Sequence, residues 1–392
     1  MNCIVIDLGS YSVKAGFAGQ TKPTIKFQSA IGKNDKNSLI IGPTPQETRN
    51  LNTLDFLISE GLSTGSINWD YAELLYEYIF EKKLRIHDTS STSVLHTLIT
   101  HTTKSDLETL TEYFMEKLDV RHFNIIDQNV SIIASLPQTS GVIVNFGQSF
   151  TQIIPYYSGV LLKFSKSILN IGGKDLTDYL TQLLTTQGFY LDSPQGFVIA
   201  SELKENYSFV NLFPQINDWE KLSNQFKNEI STNPKLMKRY PNFKELKPIT
   251  HEFGNGFSFD FKSERYSIME PLFEPKLIGN FQEGLPNVIS QSITKCEMDI
   301  RRSLYEGIIL AGGTAATPLL AERLTQELSG LTNSKVKIVN EKNLSSADLI
   351  VWKGSSTLAA LTGFEQIMIS QQDYKENGAH LIFSEMIKEF VQ

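Results

Sequence analysis

Two short stretches of this chain, 138 residues apart, follow one grammar, and that recurrence constrains the fold more than any other feature. In the first, the β-rich run Ile4-Val5-Ile6 leads through Asp7-Leu8-Gly9-Ser10 into the alternating run Tyr11 to Phe17. In the second, Val142-Ile143-Val144 leads through Asn145-Phe146-Gly147-Gln148 into Ser149 to Pro155. An apolar strand, a Gly-containing turn and a second alternating run predict a β-hairpin each time. Asp7 is matched by Asn145 and Gly9 by Gly147 at the same offset, so two related halves facing each other are expected.

Between the hairpins, strands alternate with helical patterns. Leu74, Leu75, Tyr78 and Ile79 give Tyr71 to Leu84 a helical period. Ser105-Asp106-Leu107-Glu108 reads as a capping box opening a helix that runs to Leu118. Asp175 to Leu184 and Ala321 to Leu328 are further helices, and Ile308 to Leu310 is a buried strand entering Ala311-Gly312-Gly313-Thr314, with a helix start near Pro318. This alternation predicts an α/β class with helices on both faces of each sheet. Sites in such folds lie at the carboxyl ends of strands, where Asp7, Asn145 and Gly312 all fall. The least regular stretch, Asn211 to Phe261, mixes polar and aromatic residues and reads as a partly structured insertion. It includes the basic run Lys235 to Arg239 and the Gly-rich Phe253 to Phe257. Asp373 to Gln392 predicts a short surface helix with Phe383, Met386, Ile387 and Phe390 on one side.

Several function classes are excluded early. With 392 residues, 41% hydrophobic, the chain can bury a sizeable core in two or three domains. It has no apolar run of membrane-spanning length, and MNCIVIDLGS lacks the layout of a signal peptide, so a protein of the cytosol or nucleus is expected. Two cysteines, Cys3 and Cys296, cannot make a disulfide framework or a Cys-based zinc site. A net charge of -7 argues against gripping nucleic acid through bulk charge, and no nucleic-acid signature is present. The six histidines show no metal-ligand spacing, and neither a GxSxG elbow nor a GxxxxGK[ST] loop occurs.

Two glycine turns that approach each other can grip phosphates, because glycine admits close backbone approach and turn amides can point at an anion. Ser10 adds a hydroxyl and Lys14 a positive charge. Asp7 is placed to hold the water shell of Mg2+, which prefers oxygen ligands. Taken singly, Asp7 could equally be a turn former and Lys14 a solvated strand residue.

At this point a family resemblance enters. Val5 to Ser10 and Lys14-Ala15-Gly16-Phe17-Ala18-Gly19 resemble the first phosphate loop of actin, the latter almost verbatim. Ile67-Asn68-Trp69-Asp70, Gly172 to Leu180, Ala311-Gly312-Gly313-Thr314 and Val351-Trp352-Lys353-Gly354-Ser355 resemble further actin stretches in the same order. The chain is similar to a divergent actin or actin-related protein along nearly its whole length. The resemblance implies an actin-like ATPase fold: two related α/β domains around a nucleotide cleft, each with a smaller subdomain. The first domain would comprise residues 1–135 and 350–392 (smaller subdomain about 29–62). The second would comprise 136–349 (smaller subdomain about 172–279, with the insertion at 211–261). ATP or ADP with Mg2+ or Ca2+ is the implied cofactor.

Carried over by residue, Asp7, Gly9, Ser10 and Lys14 match the first phosphate loop, Asp7 also holding the metal through water. Asn145, Gly147 and Gln148 stand in the second loop, and Gln128 matches the glutamine that positions the attacking water. Lys204 and Glu205 match the pair that contacts the nucleoside, and Gly312, Gly313 and Thr314 the turn beneath the adenosine. The second loop departs from the family's Asp-x-Gly-Asp-Gly: Asn145 and Gln148 replace carboxylates and Ser149 a glycine. Tyr11 replaces a glycine in the first loop, Gln152 replaces a His beside the water, and Glu60 stands where actin has a His. Nucleotide binding is therefore expected to survive better than hydrolysis, leaving at most a slow ATPase; the alternative is an empty scaffold blocked by Tyr11 and Ser149. The subunit-contacting loop between Gly32 and Gly61 is shortened and polar, and the plug-like segment survives in outline as Gly279 to Leu285. These changes favour a cytoskeletal or assembly subunit, with other actin-family or complex subunits as partners, no direct nucleic acid or membrane contact, and no long homopolymer. The alternatives are a polymerising actin with ATPase activity and a nuclear chromatin-remodelling subunit; a sugar kinase lacks an identifiable sugar-binding Asp. The lack of a Lys/Arg import cluster leans toward cytoplasm and cytoskeleton over nucleus.

Overall fold

The computed structural model describes residues 3–36, 38–44, 46–59, 66–98, 103–252 and 258–382. Glu60, the Phe253–Phe257 stretch and the expected C-terminal apolar stripe (Phe383, Met386, Ile387, Phe390) lie outside them. Two sheets organise the chain. The first runs, in order, Ile369–Ser370, His122–Asp127, Ser93–Leu98, Cys3–Leu8, Ser12–Phe17 and Ile25–Gln28. Its central three strands are parallel, and Cys3–Leu8 is buried throughout, as expected for a strand covered on both faces. The second runs Val160–Leu161, Thr151–Tyr157, Gly141–Phe146 and Ile308–Gly312, with Ser167–Leu169 added on Thr151–Tyr157.

Both expected hairpins form, and they are equivalent. Asp7 pairs with Lys14 across the first, and Asn145 with Gln152 across the second. The turns close the same way: Gly9 donates its amide to the Ser12 carbonyl (3.2 Å) and Gly147 to Phe150 (3.0 Å). The amides of Gly9 and Gly147 are thus spent inside the turns. What glycine supplies is room, since a Cβ would come within 3.0 Å of the accepting oxygen at Gly9 and 2.9 Å at Gly147.

Helices Gln128–Ala134 and Ile350–Ala359 pack against each other between the sheets. Trp352 and Ala359 join Cys3, Val5 and Leu95 on the first sheet, while Ile350 and Val351 join Ile143, Ile154 and Ile309 on the second. The helices touch backbone to backbone, because a Cβ at Gly354 would lie 1.7 Å from the Ser131 carbonyl oxygen. Ser355 adds a hydroxyl bond to Ser131 (2.8 Å).

Local readings held with adjusted ends. The helix expected from Tyr71 begins at Trp69 and widens its turns over Tyr78–Leu84. The cap assigned to Ser105 belongs to Thr103, whose side chain accepts from the Asp106 amide. A small three-stranded sheet (Leu39–Ile41, Ala30–Asn34, Leu51–Phe56) stands beside the first sheet, its Asn34–Ser38 turn closed by the Asn34 side chain. The insertion folds as helices Trp219–Thr232 and Pro234–Arg239 and the hairpin Ile249–Glu252 with Ser258–Phe261. Phe226 and Phe243 are buried with Phe209, and Trp219 and Tyr240 pack partly buried against the same core, so these aromatics serve the insertion's own domain. Two sheets built on equivalent hairpins, with helices packed between and around them, give the expected α/β class.

Candidate functional site

The carboxyl ends of Cys3–Leu8, Gly141–Phe146 and Ile308–Gly312 open into one cavity of about 420 Å³. Its lining includes Asp7, Ser10, Lys14, Gln128, Gly147 and Gly312, drawn from both halves. Asn145, Gln148, Lys204, Glu205, Gly313 and Thr314 also line it. Gly9 alone of the expected residues is not in the lining; it acts by shaping the turn.

Asp7 is 2% exposed and heavily engaged. One carboxylate oxygen accepts from the Thr97 hydroxyl (2.7 Å) and the Gln128 side-chain amide (3.2 Å); the other accepts from the Lys14 ammonium (3.2 Å). Gln128 is the first residue of its helix, capped by Asp127. Beside it, Asn129 donates its side-chain amide to the Gln152 side-chain oxygen (2.7 Å). The polar end of the cavity is therefore a network of amides around one lysine–aspartate pair.

On the far side, Lys204 is turned into the first turn of Gly173–Thr185, donating to the Gly173 carbonyl (2.5 Å) and the Thr177 hydroxyl (2.7 Å). Burial lowers its pKa to about 8, against the opposing pull of Glu205, Asp178 and Asp175. That same helix start donates from Gly173 and Lys174 to the carbonyls of Gly147 and Gln148, fixing the second turn (2.9 Å each). Tyr11 lines the cavity with its hydroxyl toward Glu205; burial first, then that carboxylate, push its pKa well up. Its ring stacks on Phe56 (6.3 Å between centroids), which in turn meets the edge of Phe197 (5.8 Å) on helix Pro194–Tyr207.

At the third strand end, Gly312 has φ +89°, and a Cβ would lie 2.0 Å from the Phe146 carbonyl oxygen. Glycine is required there. At Gly313 a Cβ would meet nothing within 4 Å, so the turn leaves open space on the cavity side. Asn340 holds this strand by bonding both the amide (3.1 Å) and the carbonyl (2.6 Å) of Leu310.

Sequence reasoning missed Thr97, Asn340, Lys26 and Asp348. Thr97 comes beside Asp7 through the parallel pairing of Ser93–Leu98 with Cys3–Leu8, which no local pattern encodes, and Lys26 and Asp348, paired at 2.7 Å, carry no local signal either.

A two-domain α/β protein with a polar cleft between its halves is the class this geometry defines. A family model described as Actin matches residues 1–386, and the chain belongs to the actin family. The Dictyostelium discoideum protein "Putative actin-29" is 29% identical over 395 residues, covering 97% of this chain and 96% of that one. The chain is thus a divergent member. No helix among the described residues is long and apolar enough to cross a membrane.

Actins typically bind a nucleotide with a divalent cation. The cavity suits the nucleotide: it has the volume, the two tight turns, Lys14 and the open Gly313 side. The donors suit the cation poorly. Asp7 already accepts three hydrogen bonds, one from an ammonium, and its strand-end counterpart in the second half is the neutral Asn145. Among the described residues, no cluster of three or more His, Cys, Asp or Glu could hold a metal.

Proposed function

We propose that this protein is an actin-related subunit that binds ATP or ADP in the cleft, hydrolyses it slowly or not at all, and works within a larger cytoplasmic assembly. The observation that carries this reading is the convergence of three strand ends, each closed by a glycine turn, on one cavity whose water-activating side is built of amides. Nucleotide binding needs the volume, the backbone turns and Lys14. Hydrolysis needs more: a water held for attack and a group to accept its proton. Gln128 can orient a water, but its side chain also donates to Asp7, and Gln152 offers an amide with no basicity. Each lost contribution of about 1.4 kcal/mol to the transition state slows turnover tenfold.

Saturating ATP at a hundredfold excess over Kd should stabilise the protein by about 2.7 kcal/mol, read as a rise in Tm. No shift with ATP or ADP, with or without Mg2+, returns the cleft to an empty scaffold. Phosphate release should be slow or absent, and brisk release would defeat the slow-hydrolysis reading. High-speed sedimentation in salt and ATP should leave the protein in the supernatant, because the loop closed at Asn34–Ser38 is short and polar and a head-to-tail contact must repeat indefinitely. Abundant pelletable filaments would instead support a conventional polymerising actin.

A further inference from the structure

We infer that nucleotide binding in this cleft is largely independent of divalent cations, an inference that rests on the nucleotide-binding reading above. Three carboxylates line the cavity, and each already faces a partner. Asp7 is paired with Lys14, Asp348 with Lys26 at 2.7 Å, and Glu205 faces the Tyr11 hydroxyl. Three lysines, Lys14, Lys26 and Lys204, line it as well, so the lining carries no excess negative charge. The residues at the second turn are Asn145, Phe146, Gly147, Gln148 and Ser149, all uncharged.

A divalent ion in a nucleotide site does two jobs: it screens phosphates from protein carboxylates, and it is itself held by carboxylates, often through water. Here both jobs are missing. Asp7 is neutralised by an ammonium 3.2 Å away, and an ammonium that close also repels a cation. Of the roughly four acceptor positions a carboxylate offers, Asp7 has three filled. With Asn145 and Gln148 neutral, bare phosphates meet Lys14 and amide dipoles with no carboxylate at the second turn to repel them, and the one at the first, Asp7, is paired with Lys14. The substitutions that weaken a metal site also remove the need for one.

The test is calorimetric titration of the 392-residue chain with ATP in excess EDTA and, separately, with ATP in millimolar Mg2+. The two Kd values should agree within about threefold. The variant Asn145→Asp with Gln148→Asp, checked by circular dichroism for an intact fold, should bind ATP in EDTA at least about tenfold more weakly than in Mg2+. Wild-type binding that appears only with Mg2+ overturns the inference and leaves nucleotide binding standing. No binding in either buffer overturns both. If wild type and double variant show the same ratio of Kd values, Asn145 and Gln148 do not set cation dependence and that part of the inference fails.

Discussion

His96 lies on the central strand Ser93–Leu98 of the first sheet, wholly buried, with its Nε2 2.9 Å from the Tyr76 hydroxyl and Phe114 against its ring. Burial drives its pKa down to about 3. The unfolded chain takes up this proton near pH 6.5, whereas the folded protein refuses it until about pH 3. The unfolded state therefore binds more protons across that window, and stability falls as pH falls, by up to about 1.4 kcal/mol per pH unit. Urea midpoints at pH 7 and pH 5 should separate for the wild type and draw together in His96→Gln; an equal gap in both would acquit His96. At this scale the site was legible wherever contacts are local. Asp7 and Lys14 face each other because a hairpin puts them in register, and a hairpin can be read from a dozen residues. Thr97 reaches Asp7 only through parallel pairing of Ser93–Leu98 with Cys3–Leu8, and Asn340 reaches Leu310 from 30 residues away. No local pattern encodes either.

Among the elements, helix Trp219–Thr232 shows periodicity deciding what composition leaves open. Aromatic content alone does not say whether the insertion packs inward or faces outward, but Leu222, Phe226 and Ile230 recur at helical spacing and all three are buried. Phe226 meets Phe209, Phe213 and Phe243 at 5.4–5.9 Å, and Arg239 of the next helix pairs with Glu322 (2.7 Å) on helix Leu320–Leu331. The insertion is thus anchored to the second domain rather than hung from it. Phe226→Ala should cost about 3–5 kcal/mol, the range for deleting a buried ring, and lower the denaturant midpoint. A cost under 1 kcal/mol would mean the insertion folds apart from that core. The capping shift from Ser105 to Thr103 is a choice between two local candidates, since Thr103 also stands three residues before an acid, Asp106, whose amide it caps. The widened turns at Tyr78–Leu84 have no counterpart in the periodicity, which records a helix but not its hydrogen-bond spacing.

For the molecule as a whole, the two-domain plan was legible because it is written twice, 138 residues apart, while what joins the domains was not. One join is the helix pair Gln128–Ala134 and Ile350–Ala359, where Gly354 lets backbones touch. Another is an aromatic chain at the cleft: Tyr11 from the first turn, Phe56 from the small sheet and Phe197 from helix Pro194–Tyr207. Two of these rings belong to the first half and one to the second, so opening the cleft must part Phe56 from Phe197. An aromatic edge contact contributes about 0.5–1.5 kcal/mol beyond simple burial, enough to change an opening equilibrium by roughly two- to tenfold. Phe197→Ala should therefore quicken amide exchange in Leu51–Phe56 and speed nucleotide release by a similar factor. Tyr11→Phe, which keeps the stack and loses only the hydroxyl facing Glu205, should change exchange at Leu51–Phe56 much less. Truncating the exposed Phe164, 69% accessible and outside the cavity lining, is the control and should change neither. If Phe197→Ala leaves both rates at the wild-type value, the helix pair alone governs how the two halves move, and the aromatic chain is packing without a part in opening.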